Sequence, residues 1–208
     1  MSAAVATFPT CGSAVETVQL TIQSGILVAR IELLDAVQMR ACIAHSKLAG
    51  LEPAPTLFFE FHGSAAGVAE QAAAVEAIAG DFGGTGFAAG QHRGAQPALR
   101  ARHDAYYGPG APLPLLRLGH RCLRRSRSSP PASPRLRPTR CAALAPLVGH
   151  VGDGNFHLLF LLDPDDLDEQ ARAKAVNAWI DRALALGGTR TASTASASQD
   201  RQPRARAC

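Results

Sequence analysis

Three stretches of the chain carry an ordered alternation of apolar and polar positions. In "GSAVETVQLTIQSG" the apolar residues Ala14, Val15, Val18 and Ile22 recur at helical spacing, and Gly25 closes the stripe. "ILVARIELL" follows as a continuous apolar run, the pattern of a buried strand. "DAVQMRACIAHS" returns to helical spacing, with Asp35 placed to cap its first turn. "PTLFFEFHG" predicts a second strand, stopped by Gly63, with His62 at its end, and "SAAGVAEQAAAVEAIAGDFGG" a further helix. Beyond residue 145, "HLLFLL" predicts a strand, "DPDD" a turn, and "LDEQARAKAVNAWIDRALALGG" a helix with a glycine stop. The order predicts an α+β fold, a sheet with helices packed on one face, in the ferredoxin-like manner.

Elsewhere the pattern fails. Gly108 to Ala145 holds seven of the 14 prolines and eight arginines, and no Asp, Glu, Ile, Val, Phe or Lys. Arg190 to Cys208 consists largely of Ala, Ser, Thr, Arg and Gln, with Asp200 its one acid. Neither has the period or the apolar content of a core-forming segment, so composition alone predicts an irregular, disordered insert and tail. The expected organisation is therefore one domain from 1–107 and 145–189, interrupted by 108–144 and followed by 190–208.

The 208 residues and 47% apolar content suffice for a sizeable core. The net charge of +4 rests almost wholly on arginine, since Lys47 and Lys174 are the only lysines. That bias fits a GC-rich coding sequence better than a nucleic-acid surface. The run Arg121 to Arg127 could meet phosphates but lacks interleaved aromatics, so no specific nucleic-acid binding is expected. The five cysteines form no C-x-x-C pair, which makes a disulfide framework or a cysteine zinc site unexpected and a reducing compartment the default. The N-terminus lacks a basic-then-apolar signal, and no apolar run approaches bilayer length, so a cytoplasmic placement without a transmembrane segment is expected.

The candidate chemistry lies in "GHVGDGNFH", Gly149 to His157. Seven residues along a plain strand would put His150 and His157 on opposite faces. The intervening Gly152-Asp153-Gly154-Asn155 allows the chain to fold back and bring both to one ion. Imidazole suits Zn, Mn or Fe, and a useful catalytic site needs at least a third ligand. The alternative is two hydrogen-bonded histidines at a strand edge.

"VARIELLDAVQMRA", "LFFEFHG", "ARHDAYY" and "GHVGDGNFHLL" together resemble the C-terminal half of the FAD-dependent D-2-hydroxyacid dehydrogenases, whose members include cytochrome-type D-lactate dehydrogenases, the glycolate oxidase flavin subunit and D-2-hydroxyglutarate dehydrogenase. The D-lactate branch is the nearest in flavour. The resemblance implies oxidation of a small D-2-hydroxyacid, with FAD as hydride acceptor, a divalent Zn or Mn at the substrate, and a cytochrome or quinone-type acceptor for the electrons. The intact family members would be cytoplasmic or membrane-peripheral. The same resemblance implies that His150 and His157 are metal ligands, that Arg102 grips the substrate carboxylate with Tyr106 one turn on, and that Asn155 faces the cofactor, although Asn155 also suits a role in the turn itself. His103 is expected to be structural. The family's N-terminal FAD domain has no counterpart in these residues, so the chain alone is expected to be inactive and without FAD.

Two family motifs are missing in frame. Leu99 stands where a tryptophan is expected before the substrate arginine, and "LGGT" is followed by "RTASTASASQ" instead of Gly-Glu-His-Gly, which carries the third metal ligand and the general base. Ala192 to Ser198 can be encoded so that reading one base earlier yields Gly-Glu-His-Gly-Ile-Gly-Leu. In the same way, "HRCLR" shifts to Thr-Asp-Val-Cys-Val, and "GQHRGAQPAL" shifts to a segment ending Arg-Leu-Trp. A frame-disrupted coding sequence is therefore the expectation, with only a crippled metal site left. The competing function class is non-enzymatic: a remnant with a basic arm for nucleic acid or a partner, or a product with no function.

Overall fold

The computed structural model describes residues 1–47, 50–90, 116–123, 146–162, 166–168, 171 and 189–195. Its first part runs β1 (Ser2–Thr7), α1 (Cys11–Gln23), β2 (Arg30–Leu34), α2 (Ala36–Ser46), β3 (Thr56–Phe61), α3 (Ala65–Asp81) and β4 (Thr85–Gly90). These strands stand in the order β4-β1-β3-β2, antiparallel throughout. That is the ferredoxin-like arrangement, with α2 inserted between β2 and β3. The sheet continues beyond β2 through β6 (Leu147–Gly149), β7 (Asn155–Leu162), β5 (Leu116–Leu123) and β8 (Thr189–Ala195).

Each helix starts where a short polar side chain can take the place of a missing backbone acceptor. Thr10 accepts from the Ser13 N–H at 3.0 Å, Asp35 from Gln38 at 2.8 Å and Ser64 from Gly67 at 3.2 Å. Each cap stabilises its helix by about 1 kcal/mol. The expected stripe of α1 buries Ala14, Val15 and Val18, and that of α3 buries Val68, Ala72, Val75 and Ala79. Both stripes pack on Ile31, Leu33, Leu57, Phe59 and Phe61 in one core.

The third helix departs from the one-face expectation. Met39, Cys42 and Ile43 of α2 pack with Leu34, Phe58 and Val148 in a second cluster. Leu34 and Phe58 alternate with Leu33 and Phe59 along their strands, so α2 covers the opposite face of the sheet. This explains why Leu57, Phe58, Phe59 and Phe61 are all buried instead of alternating with polar residues.

Five strands lie outside the three apolar runs: β1, β4, β5, β6 and β8. Of these, β5 and β8 fall inside the insert and tail expected to be irregular. β5 pairs with β7 from Leu116↔Leu162 to Leu123↔Asn155, and with β8 from Arg117↔Ala195 to Leu123↔Thr189. A ladder is held by backbone groups that every residue except proline supplies in full, and both strands are proline-free. The alternation in "LRLG", leucine against arginine and glycine, was a readable strand signal hidden by the surrounding proline and arginine. The predicted helix after "DPDD" is described only at Leu167, Asp168 and Ala171, all helical; its remainder lies outside the described residues.

Cys42 sits in the α2 cluster, 1% exposed. Burial pushes its thiol up to about 11, against a weaker opposing pull from the Gln38 side chain. Because the folded value lies above the ordinary one, the stability it contributes is intact below about pH 9 and is lost as the pH rises through about 11. Alkylation with iodoacetamide in mildly alkaline solution should therefore spare Cys42 in the native chain while the partly exposed Cys11 reacts. Peptide mapping by mass spectrometry reads both, and equal labelling would contradict the buried α2 face.

Candidate functional site

β6 and β7 form a hairpin whose tip is a single turn of 3-10 helix, Val151–Asp153, closed by Gly154 in the left-handed region at φ 71°. Glycine takes that conformation without the strain a Cβ brings. The His150 carbonyl accepts from the Asp153 and Asn155 N–H groups at 3.0 and 3.1 Å. The chain thus reverses between the two histidines, and Val148 comes opposite His157. Pairs directly across a ladder share a face, as do residues two apart on one strand. His150 follows the end of β6 and lies against Glu32, which shares a face with Leu34; Leu34 pairs with Val148 and Val148 with His157, so the two histidines lie toward the same side of the sheet.

The hairpin approaches very closely at its base. A Cβ built on Gly149 would overlap the Asn155 carbonyl oxygen and the Phe156 Cα, so only glycine fits there. Gly152 lies against Ile31, with a Cβ there meeting its side chain at 3.4 Å. The first contact holds β6 against β7 and the second ties the tip to β2, and together they set where His150 stands.

The residue that sequence reasoning missed is Glu32. It lies on β2, where Leu33 pairs with Gly149, so it comes beside His150. The His150 Nδ1 is 2.9 Å from Glu32 Oε1, and Arg30 Nη1 is 3.8 Å from the same oxygen. The Glu32 side chain is fully buried, whereas those of His150 and Arg30 are 41% and 45% exposed. Arg30 also reaches Glu60 Oε2 at 3.5 Å, and the exposed His62 meets Glu60 Oε1 at 2.8 Å. The result is a charged row, Arg30, Glu32, Glu60 and His150, beside the apolar cluster under α2. A signal for Glu32 was available: one acid inside a run that otherwise reads as a buried strand must find a partner.

A buried carboxylate from β2 thus lies beside His150. Among the described residues no group of three or more His, Cys, Asp or Glu side chains is placed to hold a metal ion. Asn155 is buried, and its backbone N–H donates to the His150 carbonyl across the turn. Arg102, His103 and Tyr106 lie outside the described residues.

Register adds one more juxtaposition. His157 pairs with Arg121 of β5, and Arg121 with Thr191 of β8. The segment expected to encode Gly-Glu-His-Gly out of frame begins at Ala192, on this same strand, two strands from His157.

The chain is an α+β domain built on one antiparallel sheet, and the family profile described as "FAD linked oxidases, C-terminal domain" matches residues 1–118 and 136–193. The chain belongs to that family. It is 39% identical over 200 residues to "Probable D-lactate dehydrogenase, mitochondrial" of Danio rerio, an alignment that covers 92% of this chain and 39% of the relative. It is 34% identical over 203 residues to "D-lactate dehydrogenase [cytochrome], mitochondrial" of Arabidopsis thaliana, covering 90% of this chain and 34% of that protein. The chain thus spans well under half the length of these relatives. The fold is also that of part of an alkyldihydroxyacetonephosphate synthase, with TM-score 0.57 and 13% identity over 90% of this chain and 40% of the other. It likewise matches part of p-cresol methylhydroxylase, with TM-score 0.56 and 10% identity over 90% and 44%.

Proposed function

We propose that this chain is the substrate-side portion of an FAD-dependent dehydrogenase that oxidises a D-2-hydroxyacid, with D-lactate as substrate, to the 2-oxoacid, and that the 208-residue polypeptide by itself is inactive. The observation that carries this reading is the pair His150 and His157 on one face of the sheet, with a carboxylate behind the first. Two imidazoles with a buried carboxylate on the far nitrogen of one are a donor set suited to zinc or manganese.

When bound, a divalent ion supplies Lewis acidity at the substrate hydroxyl and the flavin accepts the hydride from Cα. His150 and His157 would hold the ion and so orient the hydroxyl. Arg102 would grip the carboxylate through two parallel N–H donors, with Tyr106 beside it and Asn155 shaping the turn below. The general base would be the histidine of the out-of-frame Gly-Glu-His-Gly. Electrons would leave to a cytochrome or quinone-type acceptor, a reading supported by the printed name of the Arabidopsis relative. The family profile passes over 119–135 and ends at 193. Both omissions fall in the stretches read as off-frame, which supports that reading. Among the described residues no helix is long and apolar enough to cross a membrane. A cytoplasmic, membrane-peripheral enzyme is proposed, against the mitochondrial placement printed for both relatives.

The 208-residue polypeptide, purified and mixed with FAD, should stay colourless after desalting and reduce no dye with D-lactate. Hydride transfer needs an acceptor held against Cα, and neither the described residues nor the sequence motifs supply a flavin cradle. Flavin absorbance and dye reduction check this. Turnover with added FAD would overturn the claim of inactivity, and a shift of RNA on a gel by colourless protein would favour the basic-arm reading instead.

A further inference from the structure

β5, β7 and β8 together hold three arginines, Arg117, Arg121 and Arg190, two histidines, His120 and His157, and no acid. On the other side of β6, β2 and β3 instead set Arg30 against Glu32 and Glu60. Positive charge is thus gathered in one section of the sheet, and the register sorts it by face. Arg121 pairs with His157 and with Thr191, Gly119 with Leu159 and Ser193, and Arg117 with Leu161 and Ala195. Residues paired across a ladder share a face, as do residues two apart on one strand. Arg117, Gly119, Arg121, His157, Thr191 and Ser193 therefore fall on one face, whereas Arg190, opposite Cys122, falls on the other.

On this face Gly119 stands between two arginines, about 7 Å along the strand from each. It has no side chain, so the register position between them stays open. Like charges on one face repel, and an anion placed between them replaces that repulsion with attraction. Guanidinium offers paired N–H donors to oxygen, and threonine and serine hydroxyls donate to the same kind of acceptor. One guanidinium fork already satisfies the two oxygens of a carboxylate, so two forks with hydroxyls beside them suit an anion with more oxygens. We infer that the chain carries a site for a small tetrahedral oxoanion, inorganic phosphate, over Gly119, held by Arg117 and Arg121 with Thr191 and Ser193. The shifted reading of "HRCLR" puts aspartate in place of Arg121, so it is the frame as translated that turns this face toward anions. The site needs no metal and uses neither His150 nor Glu32, so it stands apart from the metal reading above.

Calorimetric titration of the 208-residue chain with inorganic phosphate at low ionic strength tests the site. Wild type should bind phosphate saturably. Arg117→Gln and Arg121→Gln should each weaken binding about tenfold or more. Arg190→Gln removes the same charge from the opposite face and should leave affinity unchanged. Gly119→Val keeps every charge, suits a strand and fills the position between the arginines, so it should weaken binding as much as the arginine changes do. Arg121→Lys keeps the charge but loses the fork, and should fall between wild type and Arg121→Gln. Far-ultraviolet circular dichroism, with protection of Cys42 from iodoacetamide, shows that each variant is folded. Equal losses in all three arginine-to-glutamine variants would mean attraction by net charge alone and would overturn the inference. So would the absence of saturable binding, or a Gly119→Val chain that binds as wild type does. D-lactate displacing phosphate at equal concentration would overturn the choice of a tetrahedral anion.

Discussion

Restoring the reading frame after Thr189, so that Gly-Glu-His-Gly is translated, should tighten zinc or manganese binding by about two orders of magnitude or more. The register supports so large an effect. β8 runs from Thr189 to Ala195 and is joined through β5 to β7, with Thr191, Arg121 and His157 in one row. A glutamate introduced on this strand would bring a third donor to a face that already carries two imidazoles. As translated, the strand offers Thr, Arg, Ala and Ser, none of which competes with water for a divalent cation. Isothermal titration of the translated and repaired chains, with His157→Ala in each, provides the measurement. Equal affinities for the translated and repaired chains would remove the case for a metal centre at "GHVGDGNFH" and leave the edge-histidine alternative. Sequencing the coding DNA tests the frame reading independently.

Gly149→Ala should be among the most damaging single changes in the described part of the chain. Its added Cβ meets backbone atoms of Asn155 and Phe156, which cannot move aside as a side-chain end can. The expected cost is about 3 kcal/mol, the upper end of overpacking. The damage should be local as well, because Gly149 pairs with Leu33 and carries His150 toward Glu32. Zinc affinity should therefore fall in the fraction that remains folded. Gly80→Ala is the control. It lies near the end of α3 with open space where the Cβ would go, and should be neutral or stabilising by up to about 0.5 kcal/mol. Urea unfolding of the two variants beside wild type decides the matter; equal midpoints for Gly149→Ala and wild type would mean that the hairpin does not close as described.

What the sequence determined by itself is whatever one periodic segment can encode. The stripe from Ala14 to Ile22, the cap at Asp35, the runs at "RIELL" and "TLFFEF", and the glycine-broken reversal between His150 and His157 are local properties, written in spacing and turn chemistry. The family was legible for the same reason, since its motifs are short and contiguous. Tertiary structure decided the rest. Whether α2 lies with α1 and α3 or across the sheet from them depends on which face of β2 and β3 each apolar stripe meets, and both faces of those strands are apolar. β5 and β8 form because β7 offers a ladder edge, and nothing in an arginine- and proline-rich stretch announces that edge. Glu32 and His150 are far apart in the chain and adjacent only because Leu33 pairs with Gly149. A carboxylate–imidazole contact is a property of register between strands, and register is set by backbone ladders that no single segment contains.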